Sequence, residues 1–190
     1  MKGIGLLILI VFYAVYISKA VMQKRKGIQT DQIARGKEKS KVFYTELVMK
    51  AAAYSVIAVE VWSVFRAVPD MPGSLAVGGA VLGLAGDVLF AVSVLTMKDS
   101  WRAGIAEKDK TEMVTEGIYS ISRNPAFLAF DCVYAGLLCM FFNWPLLLFS
   151  AFAIIMLHLQ ILQEEKFLER TFGREYLAYK SKVRRYLGRK

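Results

Sequence analysis

The sequence predicts an all-α integral membrane protein with five transmembrane helices, of which the last two form a tight C-terminal hairpin followed by a cytoplasmic interfacial helical tail. The chain is 56% hydrophobic, and its apolar residues fall in long runs rather than short amphipathic stretches. Lys and Arg concentrate between those runs. No internal repeat or Pro/Gly/Ser-rich linker divides the 190 residues, so we expect a single membrane domain over residues 1–190.

Each predicted span is an apolar run of about 17 residues or more, near the length needed to cross about 30 Å of hydrocarbon. The spans are predicted at 3–22, 47–68, 74–96, 126–142 and 146–162. We expect the first to be a retained anchor rather than a signal peptide, because its n-region is only Lys2 and no small-residue cleavage site precedes Lys24. Asn143-Trp144-Pro145 is the predicted turn of the hairpin.

Positive charge is distributed unevenly between the two sides of these spans. Seven Lys and Arg lie in residues 23–45, five in 97–126 and nine in 163–190. The connections on the other side hold Lys2 and Arg66. The positive-inside rule therefore predicts an N-terminus outside, cytoplasmic loops at 23–46 and 97–125, and a cytoplasmic tail at 163–190. Basic segments beside spans favour membrane lipid as the partner, and we expect no nucleic acid partner.

A glycine pattern marks the third span. Gly79 and Gly83 form a GxxxG motif, and Gly86 follows three residues later. No strand precedes these glycines, so the pattern predicts close helix packing rather than a dinucleotide-binding loop. That packing could occur within the chain or in a dimer.

Two short segments are predicted to meet at one membrane level. Asn124 and Glu164 each lie twenty residues from Trp144, so two antiparallel helices would bring the start of one beside the end of the other. Asn124 is a good N-cap residue and Pro125 suits a first helical turn, where free N–H groups attract anions. Arg123 adds a positive charge, and Glu164 and Glu165 stand opposite. The two carboxylates are about 100° apart around a helix, so we expect only one to point fully into the site.

This combination of anion and cation recognition suits a zwitterionic amino-acid tail, such as that of S-adenosylmethionine. Methyl transfer depends mainly on positioning, with exclusion of water assisting. The aromatic and basic segment 166–187 is predicted to form one or two interfacial helices broken near Gly173, either anchoring the chain or covering the site. A plain interfacial cap, with acidic residues followed by basic ones, is the alternative to a cofactor site.

Few residues offer other catalytic chemistry. Asp131 follows Asn124 by seven residues and His158 precedes Glu165 by seven, so each shares a helix face with the proposed site and is a candidate to accept a proton. His158 is the only histidine. The chain therefore offers almost no residues for a serine or cysteine catalytic triad, and no metal centre is predicted.

A series of motifs follows in order through the second half of the chain. They are Gly117-Ile118-Tyr119, Arg123-Asn124-Pro125, Glu164-Glu165, Phe172-Gly173, Glu175-Tyr176, Tyr179 and Val183. Their order and spacing resemble the isoprenylcysteine carboxyl methyltransferase family, which is related to phospholipid N-methyltransferases. The resemblance implies a membrane methyltransferase that binds S-adenosylmethionine on the cytoplasmic side and takes a lipophilic substrate from the bilayer. By position it implies cofactor contacts at Val114, Gly117, Tyr119, Arg123, Asn124, Pro125, Glu164 and Glu165.

The chain departs from that family pattern at several positions. The usual histidine is Asn124, the usual tyrosine is Phe127 and the usual glycine is Ala129, so an imidazole at this position cannot be essential if the chain is active. The arginine expected before the acidic pair is missing from the stretch His158-Leu159-Gln160, which argues against a carboxylate acceptor. Arg102 is a candidate to bind an anionic group of the substrate instead, with Trp101 beside an apolar one; the alternative for this pair is an interfacial anchor.

Two other functions fit the same pattern. Membrane sterol reductases share a similar C-terminal pattern, so an NADPH-dependent membrane reductase is one alternative. A non-catalytic membrane scaffold that retains the fold is the other. The sequence leaves open the methyl acceptor, the choice among O-, N- and S-methylation, and the oligomeric state.

Overall fold

Six α-helices form the protein in a computed structural model that describes residues 1–34, 39–66, 71–105 and 112–190. They are α1 (Lys2–Arg25), α2 (Lys41–Arg66), α3 (Gly73–Met97), α4 (Pro125–Met140), α5 (Trp144–Phe172) and α6 (Arg174–Lys182). Two 3₁₀ turns, Lys98–Ser100 and Gly117–Ser120, lie between α3 and α4. In the described ranges, extended pairing is confined to two isolated bridges, so the all-α prediction is confirmed.

Within the described residues, four helices are long and apolar enough to cross a membrane: α1, α2, α3 and α5. The chain is thus an integral membrane protein. The fifth predicted span corresponds to α4, which has 16 residues. Such a helix extends roughly 24 Å, short of about 30 Å of hydrocarbon. The hairpin therefore has one short arm and one long arm.

The long arm, α5, extends beyond the predicted span. The apolar run of the fifth predicted span ends at 162, but α5 continues to Phe172. No Gly or Pro lies between residues 163 and 172. Gly173, with φ +52°, breaks the helix, so the predicted break is confirmed. The first part of the predicted tail is thus the end of α5. Similarly, α2 begins at Lys41 rather than 47. Its predicted end at 68 lies outside the described residues.

Glycines bring α3 into backbone contact with α4. A Cβ at Gly79 would lie 2.6 Å from the carbonyl oxygen of Gly136, and one at Gly86 would lie 2.9 Å from the carbonyl oxygen of Ala129. Gly83 instead faces α1, where a Cβ would lie 2.7 Å from Cδ1 of Ile8. The predicted packing role is confirmed, and all three glycines are used inside the chain.

Hydrogen bonds at both ends of the bundle join α1 to other segments. At one end, Lys2 Nζ donates to the carbonyl of Phe65 at 3.2 Å. At the other end, Gln23 Nε2 donates to the carbonyl of Trp101 at 2.8 Å. Trp101 is buried and packs edge-on against Tyr16. The segment after α3 is thereby anchored in the core rather than exposed at an interface.

The C-terminal segment docks on the segment that precedes α4. After α6 the chain turns back through an antiparallel bridge between Val183 and Arg189. The N–H of Gly188 donates to the carbonyl of Ile121 at 2.7 Å, and the N–H of Arg123 donates to the carbonyl of Arg184 at 3.1 Å. This docking places C-terminal side chains beside the start of α4 and the end of α5.

Candidate functional site

Helix α4 begins at the predicted residue, but the side chain of its N-cap residue does not cap the helix. Pro125 is the first helical residue and Asn124 occupies the N-cap position. The Asn124 side chain makes no capping bond. Its Nδ2 donates instead to Glu165 Oε1 and to the carbonyl of Arg185, each at 3.2 Å. The first-turn amides of α4 have no intrahelical acceptors, and the helix start remains suited to an anion.

Glu165 lies at the centre of a closed ion-pair cluster. Arg123 Nη2 donates to its Oε1 at 2.8 Å, and Arg185 reaches both oxygens, with Nη2 to Oε2 at 2.9 Å and Nε to Oε1 at 3.1 Å. The side chains of Arg123 and Glu165 are each 4% exposed. The hydrogen bond to Glu165 raises the pKa of Arg185. Both oxygens of this carboxylate are therefore occupied by the chain's own cations.

Arg123 is also bound to the end of α6. Its Nη1 donates to the carbonyl of Val183 at 2.8 Å and to that of Lys180 at 3.3 Å. A cation at this position stabilises the carbonyl end of a helix. The guanidinium predicted to face an anionic ligand thus joins α4, α5 and the tail, although it also touches the cavity described next.

A cavity of about 140 Å³ lies between the segment after α3, the start of α4 and the end of α5. Its lining residues combine cationic, acidic and aromatic side chains. They are Met97, Ser100, Trp101, Arg102, Gly104, Ile105, Tyr119, Arg123, Asn124, Pro125, Ala126, Phe127, Glu164, Phe167 and Leu168. Glu164 faces this cavity, while its neighbour Glu165 belongs to the ion-pair cluster. The divergence follows from the angle between consecutive residues of a helix.

Six of the predicted site residues line the cavity together: Arg102, Tyr119, Arg123, Asn124, Pro125 and Glu164. Arg102 is held by its own loop, since Nη1 donates to the carbonyls of Asp99 at 2.6 Å and Trp101 at 2.9 Å. Tyr119 is buried, and this burial raises the pKa of its phenol. The carbonyl of Tyr119 accepts from the hydroxyl of Tyr179 at 2.6 Å, so α6 fixes this wall.

Val114 and Gly117 lie outside the cavity lining. Gly117 has φ +57° and opens the 3₁₀ turn that leads to Tyr119, so its contribution is to the backbone path. Val114 is half-buried between Met113 and Thr115, which line a separate open groove of about 590 Å³ against α6. Neither residue is therefore part of the cavity wall.

Asp131 and His158 also lie outside the cavity lining. His158 Nδ1 is 2.6 Å from the hydroxyl of Tyr186, and the two rings are stacked. Burial, with a contribution from the Asp131 charge, raises the pKa of Tyr186. The seven-residue spacing did place both on the faces of Asn124 and Glu165, but the tail residues Arg185 and Tyr186 cover that side.

Several residues that build the site are not among those predicted from the sequence. Arg185 and Tyr186 were treated as part of a basic tail, because nothing local shows that the tail returns to α4. Gln160 and Glu46 were also missed. Gln160 Nε2 donates to Glu164 Oε1 at 3.0 Å, and Glu46 is fully buried at the start of α2. The position of Glu46, an acidic residue directly before an apolar run, was a weak local signal.

Comparison with known proteins agrees with the motif order. The sequence profile of the family described as phospholipid methyltransferase matches residues 74–175, which include most of α3 and all of α4 and α5. A curated relative from Arabidopsis thaliana, named protein-S-isoprenylcysteine O-methyltransferase B, is 29% identical over 110 residues. The match covers 55% of this chain and 55% of that relative, so the chain spans about half of the relative's length. With just over half of its 190 residues matched by the profile, this chain belongs to the phospholipid methyltransferase family.

Proposed function

We propose that this protein transfers a methyl group from S-adenosylmethionine to a small lipophilic or amphiphilic acceptor at the cytoplasmic membrane interface. Membership of the phospholipid methyltransferase family supports the reaction class. The observation that carries the proposal is the cavity in which a guanidinium, a helix start and a carboxylate converge beside aromatic rings.

The residues of the cavity fit the amino-acid tail of that cofactor. Arg102 and the first-turn amides of α4 suit its carboxylate, and Glu164 suits its ammonium. The cavity measures about 140 Å³. Complete small-molecule sites measure roughly 300–1,000 Å³. We therefore assign this cavity to the amino-acid tail rather than to the whole cofactor. Tyr119 and Phe167 are the aromatic neighbours available to its nucleoside.

The cofactor supplies an electrophilic methyl group on a sulfonium. The chain's contribution is to position the acceptor and to exclude water, because an in-line displacement depends on both. Trp101 and Tyr119 are buried walls of the cavity, which limits access of water. Asp131 or His158 would accept a proton only from an acceptor that approaches beside Tyr186, between α4 and α5.

The basic end of the bundle supports a cytoplasmic location for the cavity. Lys26, Arg102 and Arg185 lie at the same end as the cavity, whereas Lys2 contacts Phe65 at the opposite end. By the positive-inside rule we infer that the basic end is cytoplasmic and that the N-terminus is outside.

Calorimetric titration of the detergent-purified protein tests the proposal. S-adenosylmethionine, S-adenosylhomocysteine and NADPH are titrated separately into folded protein. Saturable binding of both sulfur ligands without binding of NADPH is the expected result. Binding of NADPH alone would favour the reductase alternative, and binding of none of the three by a folded sample would favour the scaffold.

A further inference from the structure

Glu46 is a buried carboxylate that no motif of the family pattern includes. It lies near the start of α2, and its side chain is 0% exposed. Oε2 accepts a hydrogen bond from the N–H of Ala34 at 2.7 Å, and Oε1 accepts one from the N–H of Ile105 at 3.2 Å. A carboxylate removed from water needs such donors. Glu46 thus joins two loops that are far apart in sequence.

The two loops run beside each other, and the loop at 101–105 forms one wall of the cavity. The N–H of Gln32 donates to the carbonyl of Ala103 at 2.8 Å, and the N–H of Ala103 donates to the carbonyl of Thr30 at 3.0 Å. Gly104, at φ +89°, lets the two loops approach closely, since a Cβ there would lie 2.9 Å from the backbone N of Ile33. Gly104 and its neighbour at 105 line the cavity, so the bond from Glu46 fixes that wall.

A second connection runs from Glu46 to the cavity carboxylate. Gln160 of α5 is fully buried, and its Nε2 lies 3.4 Å from Glu46 Oε1 and 3.0 Å from Glu164 Oε1. One amide therefore contacts both carboxylates. Because Nε2 can only donate, Glu46 keeps this amide oriented with its donor end toward Glu164.

We propose that Glu46 is a positioning residue for cofactor binding: it holds the wall at 101–105 and, through Gln160, sets the orientation of Glu164. This inference rests on the proposed function of the cavity. It assigns a role to α2, which lies outside the region matched by the family profile. A glutamine at position 46 would place donor hydrogens against a backbone N–H or against the Gln160 amide.

Glu46→Gln tests this role by binding rather than by stability alone. We expect its Kd for S-adenosylhomocysteine to rise about tenfold, because the cavity wall at Ile105 and the Gln160–Glu164 contact each lose a charged hydrogen-bond partner. Glu60→Gln is the matched control, because Glu60 is also a fully buried glutamate of α2 but does not line the cavity. It should change thermal stability without changing that Kd.

Gln160→Leu provides a second variant that breaks the connection without touching the wall. We expect its Kd to rise as well, and the double variant with Glu46→Gln to show less than the product of the two single effects. An unchanged Kd in folded Glu46→Gln, or in folded Gln160→Leu if the first variant does not fold, would overturn the inference. Absence of binding by the wild-type protein would instead overturn the proposed function.

Discussion

Two adjacent carboxylates at the end of α5 have opposite surroundings. Glu165 is enclosed by Arg123, Asn124 and Arg185, all from the chain itself. Glu164 faces the cavity and accepts a hydrogen bond from Gln160. The same residue type therefore joins helices at one position and lines a candidate ligand site at the next. The difference comes from which neighbours the fold brings to each face of one helix.

The largest expected effect comes from opening the closed cluster. Glu165→Ala leaves Arg123 buried without its carboxylate, and such a loss costs about 3–5 kcal/mol of folding free energy. Denaturant unfolding in detergent, followed by circular dichroism, measures it. Glu169→Ala is the control, because the Glu169–Lys180 pair is one-third exposed and should contribute about 0–1 kcal/mol. Equal, small losses of stability in both variants would show that the ion-pair cluster stabilises the fold no more than an exposed pair does.

A change at the neighbouring Glu164 should affect ligand affinity rather than stability. Glu164→Gln removes the negative charge from the cavity, and a hydrogen bond to a charged group contributes about 1.5–3 kcal/mol. We expect calorimetry to show a loss of affinity for S-adenosylhomocysteine of about 10- to 100-fold. Stability should change by less than about 1 kcal/mol. Glu175→Gln, on the exposed side of α6, is the matched control and should bind as the wild type does. Wild-type affinity in Glu164→Gln would remove this residue from the site.

The smallest expected effect concerns the contact between the tail and α5. Tyr186→Phe removes the hydroxyl that meets His158, and one such hydrogen bond contributes about 0.5–1.5 kcal/mol to stability. We expect that loss in unfolding measurements and no change in affinity for S-adenosylhomocysteine. A weakened affinity would instead place His158 in the ligand-binding site.

Sequence reasoning was most successful where the signal was local. The positions of α1, α3 and the hairpin follow from apolar runs, and the break at Gly173 follows from the conformational freedom of glycine. Helix α5 continues beyond the apolar run of the predicted span, because the end of such a run marks the edge of the lipid rather than the end of a helix. Hydropathy and helix termination are separate properties, and charged residues continue a helix readily.

The candidate site likewise has one part that the local sequence predicts and one part that it does not. The level at which Asn124 and Glu164 meet could be predicted, because helix geometry and a shared turn fix it. The role of Arg123 could not, because its partners depend on where the tail docks. The side chain predicted to offer positive charge to a ligand pairs with Glu165 and also lines the cavity.

By itself the sequence determined an all-helical membrane chain, its turns, the motif order of its family and the cluster of residues near the start of α4. The tertiary structure alone decided which glutamate is enclosed, which one faces the cavity, and that Glu46 binds the backbone at Ile105 and connects through Gln160 to Glu164. Those contacts join residues 42, 59 and 114 positions apart. Local patterns cannot encode them, because helix propensity and hydropathy act over a few turns, whereas side-chain partners are set by how whole helices and the tail pack.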